Sequence, residues 1–267
     1  MNVKIVDTTL RDGEQQAGIA LGAGDKVKIA RLLDSAKIYQ IEAGIPAMGG
    51  EEKKSVEKMM ALNLRSKIST WNRMNLKDIE QSIQCKPDII HISVPASDIQ
   101  IRCKLKKNRT WVIETMKRCI NYARESGAEV TVGLEDASRA DLKFVLQLIS
   151  AAFLEGVERI RYADTVGILH RKRTFAEISS IKARTDIALE IHAHNDLGMA
   201  VSNSISAVKA GAEFVDCTMG GIGERAGNCD YLQFVKAAGE FLHIFDNVKE
   251  EEALEIQKEI FHIMGLH

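Results

Sequence analysis

A repeated local pattern constrains the fold of this chain most: a helical stretch ends at a glycine, and a β-rich run follows about two residues later. The clearest copies end at Gly127, Gly156 and Gly211, which lie 29 and 55 residues apart. Glycine suits the left-handed conformation that ends many helices. These spacings are close to one and two α/β units. Strands that alternate with helices at this period predict parallel pairing through helical crossovers.

Eight runs along the chain have the composition of β-strands and are separated by stretches with helical periodicity. The strand candidates are residues 3–6, 39–43, 67–71, 88–94, 129–134, 159–163, 187–192 and 214–218. Eight β/α units in 267 residues predict a TIM (β/α)8 barrel, with a doubly wound open sheet as the alternative. No Gly-x-Gly-x-x-Gly turn follows the first strand, which disfavours a nucleotide-binding open sheet.

The domain organisation follows from length and from the acidic end of the chain. We expect one barrel domain over residues 1–245, although the length would also allow two small domains. Residues 246–267 are acidic with an apolar stripe, so we expect a C-terminal helix that packs on the barrel or on a partner. Two internal helix starts are predicted as well. Asn108 precedes one apolar stripe, and Ser138, with Asp141 three residues on, precedes another.

The charge balance and the cysteines limit the functional classes. The chain has 36 basic and 37 acidic residues, a formal charge of −1, so no global field attracts nucleic acid or an anionic membrane. Its five cysteines show no Cys-x-x-Cys spacing, which favours reduced thiols. No apolar run approaches the roughly 18 residues of a membrane span, and no cleavable apolar segment follows Met1. We therefore expect a cytoplasmic protein with no nucleic-acid or membrane partner.

Polar side chains cluster at the ends of the predicted strands, and in a barrel these ends converge on the face where active sites are built. His192 and His194 alternate with Ala193, so both imidazoles project from one face of the strand and can share a cation. A hydrogen-bonded pair of histidines is the alternative. Asp12 offers a carboxylate oxygen after the first strand, and Arg11 beside it can stabilise an oxyanion, unless the two only form a loop salt bridge.

A glycine-rich loop, residues 220–228, follows the eighth predicted strand. Loops at this position of a barrel often bind phosphate or approach a ligand closely. Asn228 at its end offers a further carbonyl oxygen. Taken alone, the loop would be interpreted as a flexible turn with a capping asparagine.

Five sequence motifs follow one another along the chain: DTTLRDGEQ, GLEDASR, ADTVG, HAHND and GERAGN, at residues 7–15, 133–139, 163–167, 192–196 and 223–228. Together they resemble the metal-dependent acyl-CoA condensing family of homocitrate, isopropylmalate and citramalate synthases, with 3-hydroxy-3-methylglutaryl-CoA lyase as a more distant relative. The resemblance covers essentially the whole chain. Shorter segments are most similar to the homocitrate synthases associated with nitrogen fixation, namely Ile45-Pro46-Ala47-Met48-Gly49, Trp71-Asn72-Arg73, Ser97-Asp98 and Lys104-Leu105.

The resemblance implies a site for a divalent metal ion, with Asp12, His192 and His194 as ligands and Asn228 as a weaker fourth. It also implies that Arg11 faces the keto oxygen of a 2-oxo acid. Mixed carboxylate and imidazole ligation leaves the metal open among magnesium, manganese, zinc and iron. The other implied roles are catalysis for Glu135, lining of the oxo acid pocket for Gln15, Glu42, Glu135 and Thr165, and a position near the thioester for Gly221, Gly223 and Glu224.

Three basic side chains are candidates for holding a distal carboxylate of the substrate. They are Arg73, His91 and Arg161, and each has a packing or ion-pair role as the alternative.

The activity that the resemblance implies is a Claisen-type condensation of acetyl-CoA with a 2-oxo acid, with 2-oxoglutarate giving homocitrate as the expected case. The ion would polarise the ketone, and a general base would remove a methyl proton from acetyl-CoA. Thioester hydrolysis would then release CoA. Isopropylmalate-type or citramalate-type condensation is an alternative choice of oxo acid.

Complete synthases of the family continue beyond the barrel and supply a catalytic histidine and lid elements to a neighbouring subunit. We therefore expect this chain to act in a homo-oligomer or with a separate polypeptide that carries the missing region. A non-catalytic subunit and a carbon-carbon lyase are the alternatives. The loop Gly223-Glu224-Arg225 is similar to the synthases and lacks the cysteine of the lyase, since Cys229 lies too far along.

Overall fold

The computed structural model describes residues 2–245 and 248–266. Within these ranges eight parallel strands close into a barrel in chain order, and β8 pairs with β1. The strands are β1 Lys4–Asp7, β2 Gln40–Glu42, β3 Lys67–Arg73, β4 Ile89–Pro95, β5 Glu129–Glu135, β6 Arg159–Asp164, β7 Ala188–Ala193 and β8 Phe214–Cys217. The helices are α1 Ala23–Ser35, α2 Gly50–Met60, α3 Leu76–Cys85, α4 Arg109–Arg124, α5 Leu142–Leu154, α6 Arg171–Lys182, α7 Ala200–Lys209, α8 Tyr231–Leu242 and α9 Glu250–Met264. The prediction of a (β/α)8 barrel is confirmed.

The residues expected at helix ends explain where individual helices begin and end between the strands. Gly127, Gly156 and Gly211 follow α4, α5 and α7 with φ values of +83°, +84° and +107°. Glycine adopts this conformation without the strain that a Cβ would add. At the start of α4, the Asn108 side chain accepts a hydrogen bond from the Trp111 backbone amide at 2.8 Å, as predicted. Local chemistry therefore sets these ends.

The predicted start of α5 at Ser138 is wrong. The side chain of Asp141 caps the helix instead, accepting from the backbone amide of Lys143 at 3.1 Å. Ser138 lies in a separate short turn before it. An ion pair between Arg139 Nε and Asp136 Oδ1, at 2.7 Å, spans that turn.

The apolar core lies between the strands and the surrounding helices. Along β4, the side chains of Ile90, Ile92 and Val94 belong to this core, whereas His91 and Ser93 alternate with them and face the interior of the barrel. The interior itself contains buried polar and charged side chains, including those of Gln40, Glu42, Arg159, Arg161, Glu190 and Asp216. Charged groups thus lie inside the barrel, below the face formed by the carboxyl ends of the strands.

Helix α9 packs against α1 and α8 and reaches the short turn at 219–221. A Cβ added to Gly220 would lie 2.2 Å from the ring of Phe261, so the helix and the turn are in close contact. The predicted domain boundary after residue 245 adjoins residues 246 and 247, which lie outside the described residues, so the division into domains stays a prediction. In the described ranges no helix combines the length and apolarity needed to cross a membrane.

Candidate active site

A cavity of about 290 Å³ opens at the barrel face formed by the carboxyl ends of the strands. It is lined by Arg11, Asp12, Gln15, Trp71, Arg73, His91, Ser93, Lys104, Gly133, Glu135, Arg161, Ala163, Thr165, His192, His194 and Glu224. Most residues singled out in the sequence therefore lie together. The exceptions, which do not line the cavity, are Glu42, Gly221, Gly223 and Asn228.

The candidate metal site brings the first and last thirds of the chain together. Ligand atoms of Asp12, His192 and His194 lie within 4.8 Å of one another, and among the described residues this is the one such group of acidic, histidine or cysteine side chains. Nε2 of His192 lies 3.3 Å from Nε2 of His194 and 3.4 Å from Oδ2 of Asp12. Asn228 donates to Oδ1 of Asp12 at 2.9 Å, and its own Oδ1 is buried without a hydrogen-bond partner. These donors fit a divalent metal ion.

The protonation of this group is set by burial and by neighbouring charges. Burial would lower the pKa of His192, but hydrogen bonds and charges from Asp12 and Asp216 raise it to about 9. Burial and the charge of His192 lower the pKa of His194 to about 4. Burial opposes ionisation of Asp12, yet Arg11 and His192 hold its pKa well below the usual range. These shifts favour positive charge on His192 over His194, and a cation that binds the group would displace a proton.

Arg11 is held in place by two carboxylates. Its Nε donates to Oε2 of Glu42 at 2.5 Å, and its Nη1 donates to Oδ2 of Asp12 at 2.6 Å. Burial would raise the pKa of Glu42, but Arg11 and Arg161 hold it well below the usual range. Glu42 is therefore an anion that binds Arg11. It does not line the cavity, in contrast to the role in the oxo acid pocket that the resemblance implies.

Arg161 lies at the floor of the cavity, and its guanidinium already forms ion pairs with carboxylates of the protein. Its Nη2 lies 2.8 Å from Oε1 of Glu42, and its Nε lies 2.9 Å from Oδ2 of Asp216 and also bonds to Glu190. Three carboxylates thus surround this cation, so the ion-pair alternative considered for Arg161 describes its position well.

Sequence reasoning missed Asp216 and Glu190. Oδ2 of Asp216 lies 2.9 Å from Nδ1 of His192, and Glu190 lies beneath His192 on the same strand. Burial, together with the charge of Asp216, raises the pKa of Glu190. The period-two alternation that grouped His192 with His194 could have found Glu190, which lies two residues before His192.

The other two candidates for a distal carboxylate lie in different settings. His91 is buried, its Nδ1 lies 2.9 Å from Oγ1 of Thr131, and burial together with Arg161 keeps its pKa well below the usual range. A Cβ on Gly133 would lie 2.4 Å from Nε2 of His91, so this strand position must be glycine to admit the imidazole. The side chain of Arg73 is 68% exposed at the rim of the cavity and is bound through Nε to Asp78 at 2.6 Å.

Polar groups from strands β5 and β6 form another wall. Glu135 accepts from Oγ of Ser93 at 3.0 Å and from Nε2 of Gln100 at 2.9 Å. Thr165 accepts from the backbone amide of Asp136 at 2.8 Å, which fixes its hydroxyl at the end of β6. The predicted Gln15 lines the cavity from an exposed position after β1.

The glycine-rich loop passes close to the candidate metal site. A Cβ on Gly223 would lie 2.1 Å from Nδ2 of Asn228, and one on Gly221 would lie 3.3 Å from the carbonyl oxygen of Asn228. Glu224 at the loop tip lines the cavity, and its Oε1 lies 3.7 Å from Nε2 of His194. Arg225 bonds to Glu224 and fixes the tip.

Comparison with known proteins gives a consistent result. A family model described as HMGL-like matches residues 2–260. The chain is 56% identical over 271 residues to a protein of Clostridium pasteurianum named homocitrate synthase subunit alpha, covering 100% of both chains. It is 46% identical over 235 residues to 2-isopropylmalate synthase 2 of Caldanaerobacter subterraneus subsp. tengcongensis, covering 88% of this chain and 61% of that one.

A solved structure supports the fold. The barrel superposes on a hydroxymethylglutaryl-CoA lyase from Pseudomonas aeruginosa with a TM-score of 0.87 at 18% identity, covering 100% of this chain and 94% of that one. The family match and the sequence identities confirm the resemblance inferred from the five motifs. This chain belongs to the HMGL-like family.

Proposed function

We propose that this chain is the catalytic barrel of an acyltransferase that condenses acetyl-CoA with a 2-oxo acid, and that 2-oxoglutarate is the oxo acid, giving homocitrate. The observation that supports this most is the grouping of Asp12, His192 and His194 beside Arg11 in one cavity at the catalytic face of the barrel. The identity of 56% to a homocitrate synthase subunit, over the full length of both chains, supports the choice of reaction.

In this proposal Asp12, His192 and His194 hold a divalent cation, with the free carbonyl oxygen of Asn228 as a weaker ligand. A bound cation of this kind supplies a Lewis acid that polarises a ketone. The mixed oxygen and nitrogen donors suit magnesium, manganese, zinc or iron. Arg11 adds a second positive group for the oxygen that becomes an alkoxide. Its fork has five donors, and Glu42 and Asp12 use only part of them.

Glu135 is the proposed general base. Among the described residues that line the cavity, Asp12 and Glu224 are paired with arginines, whereas Glu135 has only the exposed Lys104 within ion-pair distance, at 3.8 Å. In the proposed reaction this carboxylate takes a methyl proton from acetyl-CoA, and the methyl carbon forms a bond to the keto carbon as the C=O π bond breaks. The keto oxygen becomes an alkoxide and then takes up a proton to give the hydroxyl group of the product. Water then cleaves the thioester and releases CoA.

The distal carboxylate of the oxo acid is proposed to meet His91, with Arg73 at the rim as the second choice. Arg161 is less suitable because Glu42, Glu190 and Asp216 already occupy its guanidinium. Since His91 is neutral, it would act as a hydrogen-bond donor rather than as a cation.

We further propose that a second polypeptide completes the site by supplying a catalytic histidine and a lid near Gly221, Gly223 and Glu224, where the thioester would lie. The name of the relative from Clostridium pasteurianum, a subunit alpha, supports a partner. Longer chains such as the isopropylmalate synthase of Caldanaerobacter carry additional sequence outside the matched region, which could have the same role.

The test is a single-turnover assay of the purified chain with Mn²⁺, acetyl-CoA and 2-oxoglutarate, with and without the candidate partner, in which homocitrate is measured by mass spectrometry. We expect product with the partner and a loss of about 100-fold or more for Arg11→Gln or His192→Ala. Arg65→Gln is the control, because this arginine is 72% exposed and far from the cavity. Product that survives both site replacements would contradict the proposal.

The relative from Caldanaerobacter favours a second candidate, a condensation with another 2-oxo acid. Parallel assays with 2-oxoisovalerate and pyruvate decide between these substrates by kcat/KM. A lyase would instead release acetyl-CoA from a hydroxy acyl-CoA without any added subunit. A non-catalytic subunit would leave the activity of the complex unchanged after replacement of Arg11.

A further inference from the structure

Six buried side chains form a closed ring of alternating charges beneath the cavity, called the charge ring below. In order they are Asp12, Arg11, Glu42, Arg161, Asp216 and His192, and the ring closes from His192 to Asp12. The successive contacts measure 2.6, 2.5, 2.8, 2.9, 2.9 and 3.4 Å. The members come from the loop after β1 and from strands β2, β6, β7 and β8. The charge ring therefore joins the candidate metal site to the arginine beside it.

Within the charge ring, Asp216 contacts both a candidate metal ligand, His192, and Arg161. Its Oδ2 lies 2.9 Å from Nδ1 of His192 and 2.9 Å from Nε of Arg161. An acceptor at Nδ1 keeps a proton on that nitrogen, so Nε2, on the side of Asp12 and His194, is the nitrogen that can bind a cation. Carboxylates in this position fix the tautomer and the ring plane of a ligating histidine.

The same carboxylate is also linked to Arg11 through two intervening side chains. Arg161, bound to Asp216 through Nε, binds Glu42 through Nη2, and Glu42 binds Nε of Arg11. Asp216 is only 2% exposed and does not line the cavity, so its contacts are with protein groups alone. One buried carboxylate thus contacts both the imidazole of His192 and the series of ion pairs that orients Arg11.

We propose that Asp216 is a positioning residue that holds His192 in the geometry of a metal ligand and, through Arg161 and Glu42, sets the place of Arg11 relative to it. This inference rests on the proposed function only in requiring a divalent cation at the candidate metal site.

The test measures Mn²⁺ affinity by isothermal titration calorimetry, without substrates, for the wild type, Asp216→Asn and Asp7→Asn. Asp7 is a matched control, since it is fully buried on the adjacent strand β1 and its hydrogen bonds go to Thr9. We expect Asp216→Asn to weaken Mn²⁺ binding about 10- to 100-fold, and Asp7→Asn to leave it nearly unchanged. An equal loss in both variants, or no loss in Asp216→Asn, overturns the proposal.

Nitrogen-15 NMR of the wild-type imidazoles in the presence of Zn²⁺ gives a second readout that needs no variant to fold. We expect His192 to carry its proton on Nδ1, and a proton found on Nε2 overturns the proposal. Neither measurement uses a substrate. A chain that behaves as expected in both but makes no homocitrate would refute the proposed function and leave the positioning role of Asp216 intact.

Discussion

The loop after β8 passes so close to the candidate metal site that there is no space for a side chain at Gly223. A Cβ on Gly223 would lie 2.1 Å from Nδ2 of Asn228 and 3.1 Å from Oδ1 of Asp12, and the backbone φ there is +152°. Gly198 has a φ of +68° but no atom within 4 Å of a Cβ built on it. A side chain at Gly223 would therefore combine backbone strain with a collision, whereas one at Gly198 adds strain alone.

We expect Gly223→Ala to lower Mn²⁺ affinity at least about tenfold, because the methyl group displaces Asn228 and Asp12 from the site. Gly198→Ala is the matched control and should cost about 1–2 kcal/mol of unfolding free energy with unchanged Mn²⁺ affinity. Calorimetric titration and urea denaturation of both variants measure the two effects. Equal Mn²⁺ affinity in the two variants would show that the collision is relieved elsewhere.

Asp7 illustrates a residue whose charge is costly to bury. Burial is the largest cause that raises the pKa of Asp7, to about 7, while hydrogen bonds from Thr9 act in the opposite direction. Because the folded-state pKa lies above the ordinary value of 3.8, stability linked to Asp7 is fully present below about pH 4 and is lost as the pH rises towards 7.

We therefore expect the unfolding free energy of the wild type, relative to Asp7→Asn, to fall by about 1.4 kcal/mol per pH unit between about pH 4 and pH 7. Above about pH 8 the difference should be constant. Urea denaturation of both proteins at a series of pH values gives the curve. A difference independent of pH would mean that Asp7 ionises at its ordinary pKa in the folded chain.

At the scale of elements, a buried lysine joins α1 to the loop after β1 and to helix α2. Lys26 on α1 is 1% exposed, and its Nζ bonds to Glu14, to Oε2 of Glu52 at 2.5 Å and to the carbonyl oxygen of Leu10 at 3.3 Å. Glu52 in turn accepts from the backbone amide of Ile45 at 2.8 Å. The loop that carries Arg11 and Asp12 is thus anchored to helices rather than to its own strand alone.

Lys26→Met should destabilise the chain by about 3 kcal/mol, because Glu14 and Glu52 would lose their buried partner. Lys28→Met is the control on the same helix, where the side chain is 66% exposed and its pair with Asp25 is a surface pair worth less than about 1 kcal/mol. Thermal and urea unfolding report the difference. A loss no larger than that of Lys28→Met would show that Glu14 and Glu52 are solvated without Lys26.

At the scale of the whole molecule, the charge ring closes only because the barrel closes. Its members span positions 11 to 216 and meet when β8 pairs with β1. Glu42 and Asp216 have no direct hydrogen bond between them, yet both bind Arg161. A substitution of one carboxylate should therefore change the effect of substituting the other, because both bind the same arginine.

We expect Glu42→Gln and Asp216→Asn to be non-additive in Mn²⁺ affinity, with a coupling of at least about 0.5 kcal/mol in a double-mutant cycle. Glu42→Gln combined with Asp98→Asn, a surface carboxylate paired with Arg109, is the control cycle and should be additive. Additivity within the first cycle would mean that the charge ring does not act as a unit. Titration calorimetry of the four proteins in each cycle provides the data.

Much of the architecture could be predicted because it depends on local pattern. Gly127, Gly156 and Gly211 end helices where their spacing indicated, and all eight strands lie within two residues of their expected limits at each end. The failure at Ser138 has a local cause as well, since the competing cap at Asp141 lay only three residues away. Periodicity and turn chemistry act over a few residues, and these are visible in a sequence.

The candidate site, like the fold, was predictable from the sequence only where it depends on local pattern. Its residue types were determined by the sequence, and the pairing of His192 with His194 followed from strand alternation. Which charge meets which partner was decided by tertiary structure alone: Glu42 lies behind Arg11, Arg161 is enclosed by carboxylates, and Asp216 orients His192. The physical reason is that an ion pair depends on distances of a few ångströms between residues far apart in the chain, and barrel closure alone sets those distances.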